Sequence, residues 1–445
     1  MKDLNILVGF LCLTAAVEVP VAAGQQPAEP AAERFIVTLQ TNADAAVVAE
    51  TYGLAPKHVF GGNNPGFAGG ISPDKLKALA ADGQVVCITP DLAVSAFAVE
   101  DGEESGGAQV IPAGVQRVGA LPGTLDYTGE GIGVAVLDTG LDLQNADLLC
   151  ATDSFSAYGL SAQDDNGHGT HVGGIIAARD NDRDVVGVAP AATLYAVKVL
   201  DNKANGYDSD LIAGLNWVRD VGAFCHPPVR VVNLSLGRRA ARNDTALHSA
   251  IQNVVEAGIT VVVAAGNDWT REVKDMVPAG FPEVIAVAST TARAGAAAWP
   301  CGDIARDTAS FFTTAGAMER TGTGIAISAP GEEAEDVDGF QVKSVGILST
   351  RLGGGTTRMA GTSMAAPHVT GAVALLCQKA QRMSFNLSPV DAKLAVMNGD
   401  RVQDAPLDSV TSRGYHLAGY HFDGEREGIL DVPLALEFLD TLARP

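Results

Sequence analysis

The pattern of hydrophobic and polar positions divides the chain in two. From Glu33 to Phe97, short apolar runs and amphipathic stretches follow one another at Phe35 to Leu39, Ala43 to Tyr52, the Gly-rich Gly61 to Gly70, Pro73 to Ala81 and Val85 to Ile88. That order predicts strand, helix, a loop leading into a strand, helix and strand, a small α+β unit with a core of its own. Asp101 to Gly107 carries no apolar anchor, which predicts an exposed, cleavable linker and a domain boundary. Beyond about Ala108, apolar runs at Val134 to Leu137, Leu194 to Leu200, Val229 to Leu234, Ile259 to Val263 and Val284 to Val287 read as short strands. Helical periods at Asp210 to Val221, Ala246 to Ala257 and Ser363 to Gln381 lie between or after them, and Pro433 to Leu442 reads as a final helix. Strands of this kind alternating with helices predict an α/β domain whose mostly parallel sheet is covered by helices on both faces. In such sheets reactive groups gather at the carboxyl ends of the strands.

Composition narrows the function classes. The 445 residues are 47% hydrophobic with 50 Gly, enough for a large and tightly turned core. The net charge of −22 and pI near 4.6 repel phosphate backbones and anionic lipid surfaces, which argues against nucleic acid and membrane partners. Lys2, the apolar Ile6 to Ala16 and the small-residue run Val21-Ala22-Ala23-Gly24 predict a secretory signal over residues 1–23, hence an exported protein. With Cys12 in the signal and Cys87 in the first unit, Cys150, Cys225, Cys301 and Cys377 remain, an even number that allows up to two disulfides. Four buried thiols are the alternative.

Three segments carry candidate chemistry. Ser363 lies in Gly361-Thr362-Ser363-Met364-Ala365-Ala366-Pro367-His368, where a small-residue turn presents a hydroxyl at the start of an apolar helix. Such a serine needs a base, and the base needs a group that fixes its tautomer. His168, in Asn166-Gly167-His168-Gly169-Thr170-His171-Val172, is the candidate base, and Asp138, at the carboxyl end of Gly133 to Leu137, is the candidate orienting carboxylate. Taken alone, a strand-terminal aspartate such as Asp138 is more often a turn cap, and His168 with His171 could be two metal ligands on one helical face. The His-x-x-His spacing lacks the glutamate and the i,i+4 register of the zinc-protease helix.

Together, Asp138-Thr139-Gly140, His168-Gly169-Thr170-His171-Val172 and Gly361-Thr362-Ser363-Met364-Ala365-Ala366-Pro367 resemble the three signature blocks of the subtilisin-like serine proteases, the subtilase family, in that family's chain order. The resemblance covers about residue 108 to the end. It implies a three-layer, doubly wound catalytic domain over residues 108–445. It also implies a secreted endopeptidase in which Ser363 attacks the scissile carbonyl, His168 shuttles the proton and Asp138 orients His168. Asn267, in Val263-Ala264-Ala265-Gly266-Asn267, matches the oxyanion-hole asparagine, a donor worth about 3 to 4 kcal/mol in the transition state.

Ser235-Leu236-Gly237 matches the edge strand that pairs with substrate, and Ala264-Ala265-Gly266 the other wall of the pocket for the residue before the cut, with Met276 near its floor. No acidic residue falls at that floor, so apolar-leaning, broad specificity for protein and peptide substrates follows. Gln109, Asp147 and Asn181 fall where the family takes side-chain oxygens for a structural calcium. Residues 24–107, with their core at 33–97, resemble the family's inhibitory propeptide, a ferredoxin-like α+β domain that acts as an intramolecular inhibitor. Self-cleavage is then expected between Phe97 and Gln109 of an otherwise monomeric protein. Extra residues lie between Thr290 and Gly316 and between Gly331 and Gly355. Two rival readings are a non-catalytic protein that keeps the fold and an esterase. The first would be expected to lack one of the four groups, and the second lacks its Gly-x-Ser-x-Gly elbow at Ser363.

Overall fold

The computed structural model describes residues 33–104, 107–295, 304–338, 341–399 and 428–443. The expected signal segment, Cys12 and Trp299-Pro300-Cys301 lie outside the described residues.

The small unit consists of β1 (Arg34–Leu39), α1 (Ala45–Thr51), β2 (His58–Phe60), β3 (Gly66–Gly70), α2 (Pro73–Ala80) and β4 (Val85–Pro90). Its antiparallel sheet has the order β2-β3-β1-β4. Asp44 caps α1 by accepting the Ala46 and Val47 amides, and Pro73 opens α2, where its missing N–H costs nothing. The β1 strand is apolar on both faces for a physical reason. Val37 and Leu39 pack with Val48, Phe67 and Leu79 in the unit's own core, whereas Ile36 joins Phe60 and Ala68 against the larger domain.

Two short strands lead out of this unit, β5 (Ala93–Ala96) and β6 (Val99–Glu104). The larger domain then runs α3 (Ala113–Arg117), β7 (Gly133–Asp138), β8 (Phe155–Ser156), α4 (His168–Ala177), β9 (Thr193–Lys198), β10 (Asn205–Tyr207) and α5 (Asp208–Asp220). Next come β11 (Val229–Leu234), β12 (Leu236–Arg239), α6 (Thr245–Glu256), β13 (Thr260–Ala264), β14 (Met276–Val277), β15 (Ile285–Thr291) and β16 (Ile327–Glu332). The chain closes with the hairpins β17 (Ala334–Asp338) and β18 (Gln341–Val345), β19 (Ile347–Thr350) and β20 (Thr356–Ala360), and the helices α7 (Thr362–Arg382), α8 (Pro389–Asn398) and α9 (Val432–Leu442).

Seven strands form one parallel sheet in the order β16-β15-β13-β11-β7-β9-β8. Alternation along β7 shows why its run is continuously apolar. Val134 and Val136 face α4 and α7 with Val172, Val369 and Val373, while Ala135 and Leu137 face α5 and α6 with Leu211, Leu215 and Ile251. The sheet therefore buries both faces, as the three-layer expectation required. Strand order reverses around β7, with β9 and β8 on one side and β11 onward on the other, so a crevice opens at its carboxyl end. Asp138 lies at that end. Among the helices, α7 is buried from Thr362 through Ala380, and truncating one of its leucines to alanine would cost about 2 to 5 kcal/mol.

One expectation changes, and two open points are filled in. The run read as an exposed linker begins instead as part of β6, which pairs with β20. The extra residues between Gly331 and Gly355 fold as the β17–β18 hairpin and the β19 strand. Cys150, Cys225 and Cys377 are free thiols, as is Cys87, so no described pair forms a disulfide. Cys377 belongs to the core on one face of the sheet and Cys225 to the core on the other, which rules out the roughly 7 Å Cα approach a bridge needs.

His171 and His368 are fully buried, and burial pushes their imidazoles down to about 3 and about 4. An unfolded imidazole titrates near 6.5. The stability these neutral rings contribute is thus present above about pH 6.5 and is lost as pH falls toward their folded values, because the unfolded chain takes up protons that the folded chain refuses. In Ser363→Ala protein, NMR should show both imidazoles still neutral at pH 5. Protonation of either ring at pH 6 would contradict their burial.

Candidate active site

The turn after β7 and the start of α4 are built as one unit. His168 is the first residue of α4, after Gly167 in a left-handed conformation at φ 112°. Its Nδ1 donates to Asp138 Oδ1 at 2.8 Å, with both side chains buried. A proton held at Nδ1 leaves Nε2 as the basic nitrogen. A Cβ on Gly169 would lie 2.0 Å from the Gly140 carbonyl oxygen and 3.2 Å from Asp138 Oδ1, so this approach requires glycine. Asp164 fastens the two segments together. Its carboxylate accepts Thr139 Oγ1, the amides of Asn166, Gly167 and Thr170, and Thr170 Oγ1. Sequence reasoning missed Asp164, and the available signal was an aspartate two residues before Asn166-Gly167, the spacing of an Asx turn.

At the start of α7, a proline shapes the serine's surroundings. Pro367 has no N–H to give the Ser363 carbonyl four residues earlier. Ser235 Oγ donates to that carbonyl instead at 2.8 Å, and Ser363 Oγ donates back to the Ser235 carbonyl at 2.8 Å. Asn267 follows β13 and Gly266. Its Oδ1 accepts both the Thr362 amide and Thr362 Oγ1, at 3.0 and 2.9 Å, which fixes the amide and aims Nδ2 away from α7. That Nδ2 donates to the Phe97 carbonyl at 3.0 Å, and the Ser363 amide donates to the same oxygen at 3.4 Å. The Phe97 amide donates to Ser363 Oγ at 3.0 Å. A Cβ on Gly361 would lie 2.1 Å from the Phe97 oxygen, so any larger residue there would fill the position.

A strand of the chain itself thus lies in the cleft. β5 runs antiparallel to β12, pairing Ala96 with Leu236 and Ser95 with Gly237, and antiparallel to β10 on its other side. The expected single edge at Ser235, Leu236 and Gly237 is therefore half of a clamp, completed by Asn205–Tyr207. A Cβ on Gly237 would lie 2.9 Å from the Phe97 ring, so that glycine makes room for the aromatic side chain. Ala264 and Ala265 are fully buried in the two cores against which Phe97 packs. Next to them, a Cβ on Gly266 would lie 2.9 Å from Met276 Cε.

Gln109, Asp147 and Asn181 also meet. Asn181 Nδ2 donates to Asp147 Oδ1 at 2.9 Å, and Gln109 Oε1 accepts the Asn181 and Asp182 amides. Burial pushes the Asp147 carboxyl up to about 6, and its hydrogen-bond donors, Asn181 Nδ2 and the Val185 amide, are neutral. Among the described residues no group of three or more His, Cys, Asp or Glu is placed to hold a metal ion. The set at Gln109 offers one carboxylate and two amides.

Residues 129–414 match the model of the Subtilase family. The chain belongs to the subtilase family. It is 33% identical over 354 residues to M-protease of Shouchella clausii (strain KSM-K16), covering 79% of each chain. It is 37% identical over 273 residues to Subtilisin Savinase of Lederbergia lenta, covering 61% of this chain and 86% of that one. The Extracellular serine proteinase of Thermus sp. (strain Rt41A) is 33% identical over 412 residues, or 84% of this chain and 89% of the relative. A solved cold adapted subtilisin-like serine proteinase superposes with a TM-score of 0.54 at 26% identity, over 73% of this chain and 99% of the other. This subtilase is a subtilisin-like serine endopeptidase acting on protein substrates. Replacing Asn267 by alanine should lower kcat by about 100- to 1,000-fold with KM nearly unchanged, because the lost donor acts on charge that develops only in the transition state. Steady-state kinetics on a peptide amide check this, and an unchanged kcat would remove Asn267 from the site.

Proposed function

We propose that this subtilase is a secreted serine endopeptidase made as a precursor, and that the first bond it cuts is Phe97–Ala98 of its own chain. One observation carries the reading: the Phe97 carbonyl oxygen sits between Asn267 Nδ2 and the Ser363 amide, with the residues before it clamped between β10 and β12. Ser363 Oγ leaves the Ser235 carbonyl, passes its proton to His168 Nε2 and bonds to the Phe97 carbonyl carbon. Asp138 stabilises the imidazolium, and the oxyanion rests on Asn267 and the Ser363 amide. Collapse breaks the bond to the Ala98 nitrogen, which takes the proton from His168. Water, deprotonated by the same imidazole, then hydrolyses the ester.

After the cut, residues 33–97 remain as inhibitor. Lys57 Nζ and His58 Nε2 both reach the buried Asp210 Oδ1 at 2.6 Å, and Arg34 bridges Asp91 and Ser209. The Phe97 ring in a glycine- and alanine-walled pocket supports an apolar preference before the cut. Export is supported by the apolar segment from Ile6 to Ala16 and by a relative named for its extracellular location. Wild-type protein should yield a new amino terminus at Ala98, while Ser363→Ala should persist as uncut precursor. Normal processing of the alanine variant, read by intact-mass spectrometry, would overturn the mechanism.

A structural calcium completes the proposal. Asp147 and the Gln109 and Asn181 side-chain oxygens are of the kind a hard cation takes. A bound ion would require Asn181 to turn its oxygen in place of Nδ2 and Gln109 to release the amides it accepts, and the ion's charge would relieve the buried carboxyl. Bound, the ion would tie the segment after residue 107 to the loop after α4. Calcium at about 100 times its Kd should add about 2.7 kcal/mol to Ser363→Ala protein. Calorimetry should show the higher Tm reversed by chelator and absent from an added Asp147→Asn variant, whereas equal Tm with and without calcium would exclude the site.

A further inference from the structure

Two buried carboxyls brace the oxyanion donors from behind. Glu332, the last residue of β16, and Glu335, on β17, are both fully buried and hydrogen-bond each other side chain to side chain. Two carboxylates have no hydrogen to share, so the pair holds a proton. Burial raises the Glu332 carboxyl above the usual carboxylate range, which makes it the acid of the pair. Each partner is fixed in place by a donor of its own. Ser344 Oγ on β18 donates to Glu332 Oε2 at 2.5 Å, and the Phe311 amide donates to Glu335 Oε1 at 2.8 Å.

Two routes lead from the pair to the oxyanion site. Along the first, the carbonyl of Gly331, next to Glu332, accepts the Gly361 amide at 2.9 Å. A Cβ on Gly331 would lie 2.1 Å from Ser289 Oγ and 2.5 Å from the Gly361 carbonyl oxygen, so β16 is in direct contact with the turn before Ser363. Along the second, the pair fixes the start of the segment from Ser310 to Thr314. Ser310 hydrogen-bonds Glu332 and, hydroxyl to hydroxyl at 2.7 Å, Ser289, while Phe311 is held by Glu335. The end of that segment grips both neighbours of Asn267. Thr314 N donates to the Gly266 carbonyl at 2.9 Å, and Thr314 Oγ1 accepts the Asp268 amide at 3.1 Å.

We infer that Glu332 and Glu335 are positioning residues for the cleavage reaction, a carboxyl pair that shares one proton and thereby holds Asn267 and the Gly361 turn in register around the oxyanion. This role rests on Asn267 and the Ser363 amide being the oxyanion donors. Release of the proton to solvent leaves two buried negative charges side by side, which repel, and the segments they hold draw apart. The other titratable groups on elements packed against the pair have partners or environments of their own. Glu333 is ion-paired with Arg293 and Arg358, and Asp307 with Arg117. Asp336 and Lys343 lie opposite each other on the β17–β18 hairpin, and His368 of α7 is kept neutral by burial. Loss of the shared proton therefore lowers kcat on the alkaline side, while KM, set by β10 and β12, is spared.

The test is steady-state kinetics of the active enzyme on a peptide amide, with Asn267→Ala as the reference. Glu332→Ala should lower kcat about tenfold or more with KM nearly unchanged, and Glu332→Gln, which offers an N–H in place of the acid O–H, should restore it. The double variant Asn267→Ala/Glu332→Ala should lose less than the product of the two separate losses, because both act on one donor. The pH profile tests the proton itself. Wild-type kcat should fall on the alkaline side in a limb that Glu332→Gln lacks. In Ser363→Ala protein, carboxyl carbon NMR should show one glutamate of the pair still protonated where exposed glutamates are ionised. Equal pH profiles for wild type and Glu332→Gln, losses that multiply in full, or a fully ionised pair under those conditions would each overturn the inference. An unchanged kcat in Asn267→Ala would overturn the oxyanion assignment, and the inference with it.

Discussion

One carbonyl group organises this molecule: that of Phe97, held by Asn267 Nδ2 and the Ser363 amide. For these donors to converge, β13 must end beside the start of α7, and Thr362 must orient Asn267 through two hydrogen bonds. The carbonyl itself must be delivered by an extended strand, which β10 and β12 hold from both sides. Positions 361 and 237 must be glycine, since a Cβ at either would displace the carbonyl or the Phe97 ring. Core, sheet and leading domain all serve that geometry.

A parallel sheet buried on both faces suits the task. It sets Asp138 and Ala264, the ends of β7 and β13, at the same rim, with the starts of α4 and α7 alongside. Small residues carry those starts because helix and strand must meet closely. A Cβ on Gly169 would lie 2.0 Å from the Gly140 carbonyl oxygen, and farther along α4 one on Gly174 would lie 2.3 Å from Thr350 Oγ1 on β19. Pro367 shows a helix rule broken to advantage, because the carbonyl it leaves without a helical donor is the one that Ser235 Oγ reaches.

Much of this was legible in the sequence because it is local. The long apolar runs marked five of the seven sheet strands, and the blocks around Asp138, His168 and Ser363 named the pair that hydrogen-bonds, Asp138 with His168, and the hydroxyl that receives the Phe97 amide. Asn267 was legible through its position after Val263-Ala264-Ala265-Gly266. What escaped was pairing between distant segments. Three-residue β10 and the β6–β20 ladder have no periodicity of their own, since each strand exists only because another segment lies beside it, and the edge at Leu236 and Gly237 was legible only through its match to the family. The acidic Asp101–Glu104 therefore read as an exposed linker. Asp164 escaped for a similar reason, as its five bonds go to backbone amides and hydroxyls that a motif does not display. The cysteines were countable but not placeable, and the fold set Cys225 and Cys377 on opposite faces of the sheet.

The central claim is that the chain is folded around its own first substrate, so cleavage at Phe97–Ala98 is intramolecular. The most direct measurement is the rate of appearance of the Ala98 amino terminus from freshly refolded wild-type precursor, followed by mass spectrometry over a hundredfold range of protein concentration. A first-order rate constant independent of concentration is the predicted result. A rate constant rising in proportion to concentration, or a first cut at another bond, would contradict the account.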